Sequence, residues 1–434
     1  PGSDNINAKQ ENQILTHKKI PINPDRLWSD LMALAEIGAD PDPDGGVTRT
    51  ALSDADQKAH EFLMARMRDA GLKVDVDDAF NVIGTLPAKK PESGQKALIG
   101  SHLDTVPNGG RFDGALGVLC ALECARTIRE HHIDLPWDLE IISFCDEEGG
   151  HHAGTVGSRA MTGTLAPGEI QQMGPDGGPS FYQNLERAGG DPDRIGNAAR
   201  PATDIAFFLE VHIEQGRVLE SQRADIGVVT AIAGIQRTEV IVAGEAAHAG
   251  TTPMKLRKDA LVAAAPLFTL LPKWAASRNP DMTATIGRIQ VSPGSANVVP
   301  GECRFTVELR SQNAGDMQAV QDLLERHAAR QSDWRLQPLY RKDPVRLSTP
   351  LQDRITLAAL RECFAVRNLT SGAGHDAASF APHVPTGMIF VPCRGGVSHQ
   401  PDETIDQRHA AAGCQVLLRT LMILSGEGGR LDPA

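Results

Sequence analysis

Two stretches, 96–103 (KALIGSHL) and 137–145 (WDLEIISFC), are nearly continuous in apolar residues, and between them Leu116, Leu119, Ala125 and Ile128 recur at helical spacing. A strand that is apolar on both faces belongs inside a sheet covered on both sides, as parallel sheets are. Two such strands joined through a helix form a βαβ unit, so the chain is expected to be α/β with a mostly parallel sheet. Further helices are predicted over 25–37, with Leu27, Leu31 and Leu34 on one face, and from Ser53-Asp54-Ala55-Asp56, which resembles a capping box, to Gly71.

A different texture begins near Asp225. Stretches 237–243, 283–291 and 304–310 alternate between apolar and polar residues, and a long helix pattern covers 258–277. A sheet with one wet face, packed on helices, is an α+β arrangement. The α/β texture returns with helix patterns at 351–364 and 404–424. The simplest organisation is an interrupted domain, 1–222 plus 336–434, carrying an inserted α+β domain at 223–335.

Composition narrows the partners. Among 434 residues, 43 Lys and Arg face 55 Asp and Glu, a formal net charge of −12. Phosphate backbones need local Lys/Arg excess, so nucleic acid is excluded as the main partner, and a membrane surface is disfavoured on the same ground. The longest apolar stretch, 260–271, is short for a bilayer span and contains Pro266. Pro1-Gly2-Ser3 reads as an appended leader, and no apolar run follows Lys18 and Lys19, so a cytoplasmic location is expected. Seven scattered cysteines without a CxxC pair disfavour disulfide and Cys-zinc frameworks, and Cys120 and Cys124, four apart on one predicted helix, are expected to be buried thiols.

Five polar clusters fall where strands should end, which is where ligands collect in open α/β sheets. In Gly100-Ser101-His102-Leu103-Asp104-Thr105, residues two apart face one way on an extended chain, so Asp104 can accept the second ring N–H of His102. Asp113 in Phe112-Asp113-Gly114-Ala115 suits either a helix cap or a carboxylate bridging two metals. Asp146-Glu147-Glu148-Gly149 places three acids at the exit of a buried strand, either as a solvated turn or around a cation. Glu210-Val211-His212-Ile213-Glu214-Gln215-Gly216 and Ser398-His399-Gln400-Pro401-Asp402-Glu403 complete the set.

The order of motifs SHLDT, FDG, DEEG, EVHIEQG, AHAG, NVVPG, ELR, GAGHDA and SHQPDE resembles the di-metal M20 amidohydrolases, and within them the hydantoinase/carbamoylase group. EVHIEQG discriminates best, because aminopeptidases and deacylases of the wider superfamily usually carry a carboxylate at the position of His212. The resemblance implies one divalent ion held by His102 and His212, a second by Glu148 and His399, and Asp113 bridging them. Zinc is the expected ion, with manganese, cobalt or nickel as replacements. It further implies Glu147 as the proton shuttle and Arg310 as the fork for a substrate carboxylate. Gln215 and Asn297 would hydrogen-bond the substrate, His248 would stabilise the tetrahedral intermediate, and Gly374 and His375 would line the pocket. Read from the residues alone, Arg310 could as well form an exposed salt bridge and His248 could be a packed loop histidine.

Two positions depart from the group. Gly150-His151-His152 follows the DEEG, where relatives often carry Val-Arg-Phe or Ser-Arg-Phe, and Phe80 stands where relatives tend to have glycine before Asn81. The resemblance implies hydrolysis of a ureido C–N bond on a small anionic substrate, an N-carbamoyl-L-amino acid or allantoate, with release of ammonia and carbon dioxide. A dipeptidase or deacylase would share the metal site but cleave an ordinary amide, and a non-catalytic metal or metabolite binder would have no use for Glu147. A homodimer formed through the inserted domain is expected by the same analogy.

Overall fold

The computed structural model describes residues 20–426 apart from 43, 90, 92–93, 151–153, 175–176 and 330–332. Pro1-Gly2-Ser3, Lys18, Lys19, His151 and His152 therefore lie outside the described residues. The chain divides into two compact units, one comprising Pro1–Gly227, Asp353–Arg367 and Ile389–Pro433, the other Val228–Gln352 and Asn368–Met388.

In the first unit the strands lie in the order Lys73–Val76, Val82–Leu86, Asp138–Phe144, Lys96–His102 and Ile205–Ile213. The last three are mutually parallel, and the first two form an antiparallel hairpin along their edge. The expected reading of the central strands follows from burial: from the second residue onward, Lys96–His102 and Asp138–Phe144 are buried throughout. Between them the helix Ala115–Glu130 is buried along most of its length. The predicted helix after Ser53 spans Asp54–Asp69, with the Ser53 side chain accepting from the Asp56 N–H. All seven cysteines are free, and Cys124 Sγ packs 3.9 Å from Cys414 Sγ in the core.

The second unit contains a four-stranded antiparallel sheet in the order Trp334–Lys342, Gly234–Ala243, Glu302–Ser311 and Thr283–Ser292. Alternating burial along Glu302–Ser311 leaves one face for a core. Ala260–Arg278 supplies that core, placing Ala264, Leu267, Leu271 and Ala275 in one cluster with Val240, Phe305 and Leu309. This helix runs past the 260–271 stretch read from sequence and, by length and composition, is apolar enough to cross a membrane. One face of it packs on the sheet, with Phe268 set edge-on to Phe305 at 4.9 Å. Trp334–Lys342 crosses the expected boundary at 335 because it is the edge strand of this sheet, with its register shifting just after Pro338.

Candidate metal centre

Parallel strands deliver their C-terminal ends to the same side of a sheet, and three of the five clusters sit on such ends. His102 closes its strand opposite Phe144, after which the neighbouring strand gives way to Asp146, Glu147 and Glu148. His212 lies at the end of Ile205–Ile213. Asp113 comes from the turn before Ala115–Glu130, and His399 from the loop before the helix Gln407–Gly426.

The Asp113 carboxylate is the hub. Its Oδ1 lies 3.0 Å from His212 Nε2 and 3.6 Å from His102 Nε2, while its Oδ2 lies 3.4 Å from His399 Nε2. His399 Nε2 is also 3.3 Å from Glu148 Oε1. Ligand atoms of His102, Asp113 and His212 fall within 4.8 Å of one another, as do those of Asp113, Glu148 and His399. The alternative reading of Asp113 as a helix cap does not apply, because the cap is Gly114 and no side chain bonds there. Gly114 is needed at that point: its φ is +64°, and a Cβ would lie 2.4 Å from the His102 ring. Left-handed backbone at Asp146, Gln215 and His399, all non-glycine, concentrates strain around the same cluster.

The imidazoles and carboxylates of this cluster are electrostatically coupled. Burial opposes charge on His102 and His212, yet Asp113 beside both, with Glu147 and Asp104 also acting on His102, raises their pKa values above the usual imidazole range. Hydrogen bonding to Asp113 and Glu148 pushes His399 up to about 10. Burial would raise Asp113, but His212, His102 and His399 hold it well below the usual carboxylate range. His102 Nδ1 lies 2.9 Å from the Asp104 carbonyl and His212 Nδ1 2.9 Å from the Ile213 carbonyl. A carbonyl can only accept, so each Nδ1 carries a proton and Nε2 faces Asp113. Divalent ions displace protons from such nitrogens, and imidazole with carboxylate is the donor set that suits them.

Asp104 corrects the sequence reading. Its backbone carbonyl, not its carboxylate, meets the His102 ring nitrogen, since the carboxylate Oδ1 is 3.6 Å away. The carboxylate instead accepts the backbone N–H groups of Glu147 at 3.2 Å and Glu148 at 3.1 Å, holding the acidic turn across the sheet end. A one-strand argument about alternation could not show this reach to a neighbouring strand's loop.

Asn81 was only a landmark in the sequence and proves to be a second brace for that turn. Fully buried, its Oδ1 accepts the Cys145 N–H at 3.0 Å while its Nδ2 donates to Asp77 and to the Gly157 carbonyl. Phe80 before it has a φ of +65°, a backbone conformation that glycine favours, with its ring packed on the cluster around Phe181 and Leu185. Asn81→Ala leaves the buried Cys145 N–H without its acceptor and is expected to cost about 1–3 kcal/mol in urea unfolding. An unchanged midpoint would show that Asn81 does not brace the turn.

Gln215 donates from Nε2 to Asp113 Oδ2 at 2.6 Å, and Ser398 Oγ donates to the same oxygen at 2.8 Å. Gln215 is thus beside the metal-ligand cluster. Ser398 was visible only as part of its motif. Burial and the Asp113 charge push the nearby Glu403 carboxyl up to about 7.

The other expected substrate residues belong to the second unit. His248 pairs with Val298 in a short antiparallel bridge, and the Ala249 N–H donates to the Asn297 carbonyl, so His248 and Asn297 are brought together. Both are exposed. Arg310 donates from Nε and Nη2 to Glu308 Oε1 and from Nη1 to the Gly372 carbonyl at 2.6 Å, which brings it to the glycine-rich loop of Gly374 and His375. His375 is buried, its Nε2 2.8 Å from Ser371 Oγ, whereas Gly374 is exposed.

The pattern of Peptidase family M20/M25/M40 matches residues 98–423, a span that includes every ligand candidate above. The chain belongs to this family. It is 38% identical over 410 residues to an N-carbamoyl-L-amino acid amidohydrolase of Geobacillus stearothermophilus, covering 93% of this chain and 99% of that one. It is 35% identical over 398 residues to an allantoate amidohydrolase of Bacillus subtilis, covering 90% and 95%. Among solved structures, a hydantoinase/carbamoylase family amidase from Burkholderia multivorans superposes with a TM-score of 0.86 at 34% identity, covering 94% and 98%. Relatives of this family are hydrolases, and the His, Asp and Glu groups of this chain suit a divalent metal site.

Proposed function

We propose that this chain hydrolyses the ureido C–N bond of a small carboxylate, an N-carbamoyl-L-amino acid or allantoate, releasing ammonia and carbon dioxide. The observation that carries this reading is the split use of Asp113, one oxygen toward His102 and His212 and the other toward His399 beside Glu148. Such a donor set would suit two divalent ions, zinc first, with manganese, cobalt or nickel able to replace it. When bound, the ions supply Lewis-acid polarisation of the ureido carbonyl and acidify an attacking water.

The chain's own residues do the rest. Glu147 takes a proton from the attacking water and gives it to the departing nitrogen. His248 and Asn297 hydrogen-bond the carbonyl oxygen as negative charge builds on it. Arg310 binds the substrate carboxylate through its planar fork, Gln215 orients the ureido group, and Gly374 and His375 line the pocket. The C–N bond breaks to give an amine and a carbamate, which decomposes to ammonia and carbon dioxide.

A panel of N-carbamoyl-α-amino acids, N-carbamoyl-β-alanine, allantoate and dipeptides, read by ammonia release and amine formation with zinc- or manganese-loaded protein, tests this. Dipeptide cleavage without ammonia release from any ureido acid would replace it with a peptidase. Arg310→Ala is expected to raise KM for ureido acids by about 10–100-fold, as loss of a charged, bidentate contact does, with a smaller change in kcat. An unaltered KM would remove Arg310 from substrate binding.

The same reading makes the protein a cytoplasmic homodimer joined through the inserted domain. Seven free cysteines support a reducing compartment, and exposed Val262, Leu270 and Ile289 in the second unit support a buried contact there. Light scattering on the purified chain decides between monomer and dimer.

A further inference from the structure

Glu403 is 1% exposed, and it has no part in the chemistry above. One oxygen, Oε1, accepts two successive backbone N–H groups, from Phe112 at 2.8 Å and from Asp113 at 3.1 Å. The other, Oε2, is buried without a hydrogen-bond partner among the described residues. Leaving a carboxylate oxygen unpaired in the interior is costly, so the two bonds at Oε1 have work that offsets it.

The turn these bonds hold is the one that presents Asp113. On its far side the Phe112 ring stacks on Trp28 at 5.6 Å between centroids, so ring and backbone are fixed from two directions. Asp113 must aim both carboxylate oxygens at once, and a small rotation of its backbone would misdirect one of them. The backbone also keeps space for this carboxylate: a Cβ on Gly110 would fall 2.0 Å from Glu403 Cδ and within 2.2 Å of both its oxygens.

From this geometry we infer that Glu403 is a positioning residue for the bridging carboxylate, setting divalent-ion affinity through the backbone of Phe112 and Asp113. The inference rests on the metal-centre reading above. It concerns a contact between segments remote in sequence, and it separates two properties of Glu403, its hydrogen bonds and its charge.

Cobalt titration of ion-free protein, followed by the visible d–d absorption, tests it without reference to turnover. Glu403→Ala removes acceptor and charge together. Gly110→Ala keeps the charge but displaces the carboxylate from its seat, and it serves on its own should the first variant not fold. Both are expected to bind Co2+ about 10–100-fold more weakly than the parent chain and to alter the d–d bands, with circular dichroism unchanged. Glu403→Gln keeps an oxygen to accept both N–H groups, in neutral and weaker form, and is expected to lose clearly less than either.

Affinities of Glu403→Ala and Gly110→Ala within about twofold of the parent would overturn the assignment, since supporting shells typically matter more than that. So would a Glu403→Gln affinity as poor as that of Glu403→Ala, because charge and not anchoring would then be at work. Failure of the parent chain itself to bind Co2+ is a separate result, and it would overturn the metal-centre reading first.

Discussion

An Asp113→Ala chain is expected to bind fewer divalent ions than the parent and to lose at least about 10³-fold in ammonia release, equivalent to roughly 4 kcal/mol of transition-state stabilisation. Three imidazoles face this one carboxylate, two on Oδ1 and one on Oδ2. The fold itself should persist. His102 and His212 keep their Nδ1 bonds to backbone carbonyls, which do not involve Asp113. The deficit therefore falls on ion binding, and the rise in melting temperature that ions give the parent by mass action should shrink or vanish. Asp113→Asn is the sharper control, because one of its two terminal atoms becomes an N–H donor aimed at imidazole nitrogens that should accept the cation. Elemental analysis after gel filtration measures the outcome. Parental ion content in the alanine variant would mean that Asp113 does not bridge.

How far the sequence reaches can be judged from particular residues. The near-continuous apolar strands 96–103 and 137–145 predict interior parallel strands because apolar residues dominate both faces, and the structure buries them accordingly. Glu302–Ser311 was legible for the opposite reason, its strict alternation. Trp334–Lys342 was not, since an edge strand with exposed residues and an internal proline carries neither signal. At the site, the candidate ligands stand in legible motifs, but their supports do not. Asp104 was read along its own strand, whereas its carboxylate reaches the next strand's loop, and Asn81 and Glu403 act through backbone N–H groups far away in sequence. Which backbone group a buried polar side chain will satisfy is a property of the closed fold, and local periodicity holds no record of it.

These supports bear directly on the reaction, because the two neighbouring acids of the turn are asked to do different things. Glu148 reaches His399 and Asp113, while Glu147 directs Oε2 to within 3.8 Å of His102 Nε2. Their backbone N–H groups are both held by the Asp104 carboxylate, so exchanging the Glu147 carboxylate for an amide leaves the turn, and Glu148 on it, in place. Glu147→Gln is therefore expected to retain its ions and to bind substrate with a KM close to the parent's. Its kcat should fall by about 10²–10⁴-fold, the range that a positioned general acid–base group supplies. An amide of nearly the same shape can still accept a hydrogen bond from the attacking water, but it cannot carry the proton on to the departing nitrogen. Glu147→Asp should fall between the two, its carboxylate drawn back by one methylene from the position where proton transfer is efficient. Steady-state kinetics with ion content measured on the same preparations separates this loss from metal loss. Glu147→Gln with ions bound and more than about a tenth of parental kcat would place the proton transfer on another group, since even the weakest general catalysts of this type contribute more.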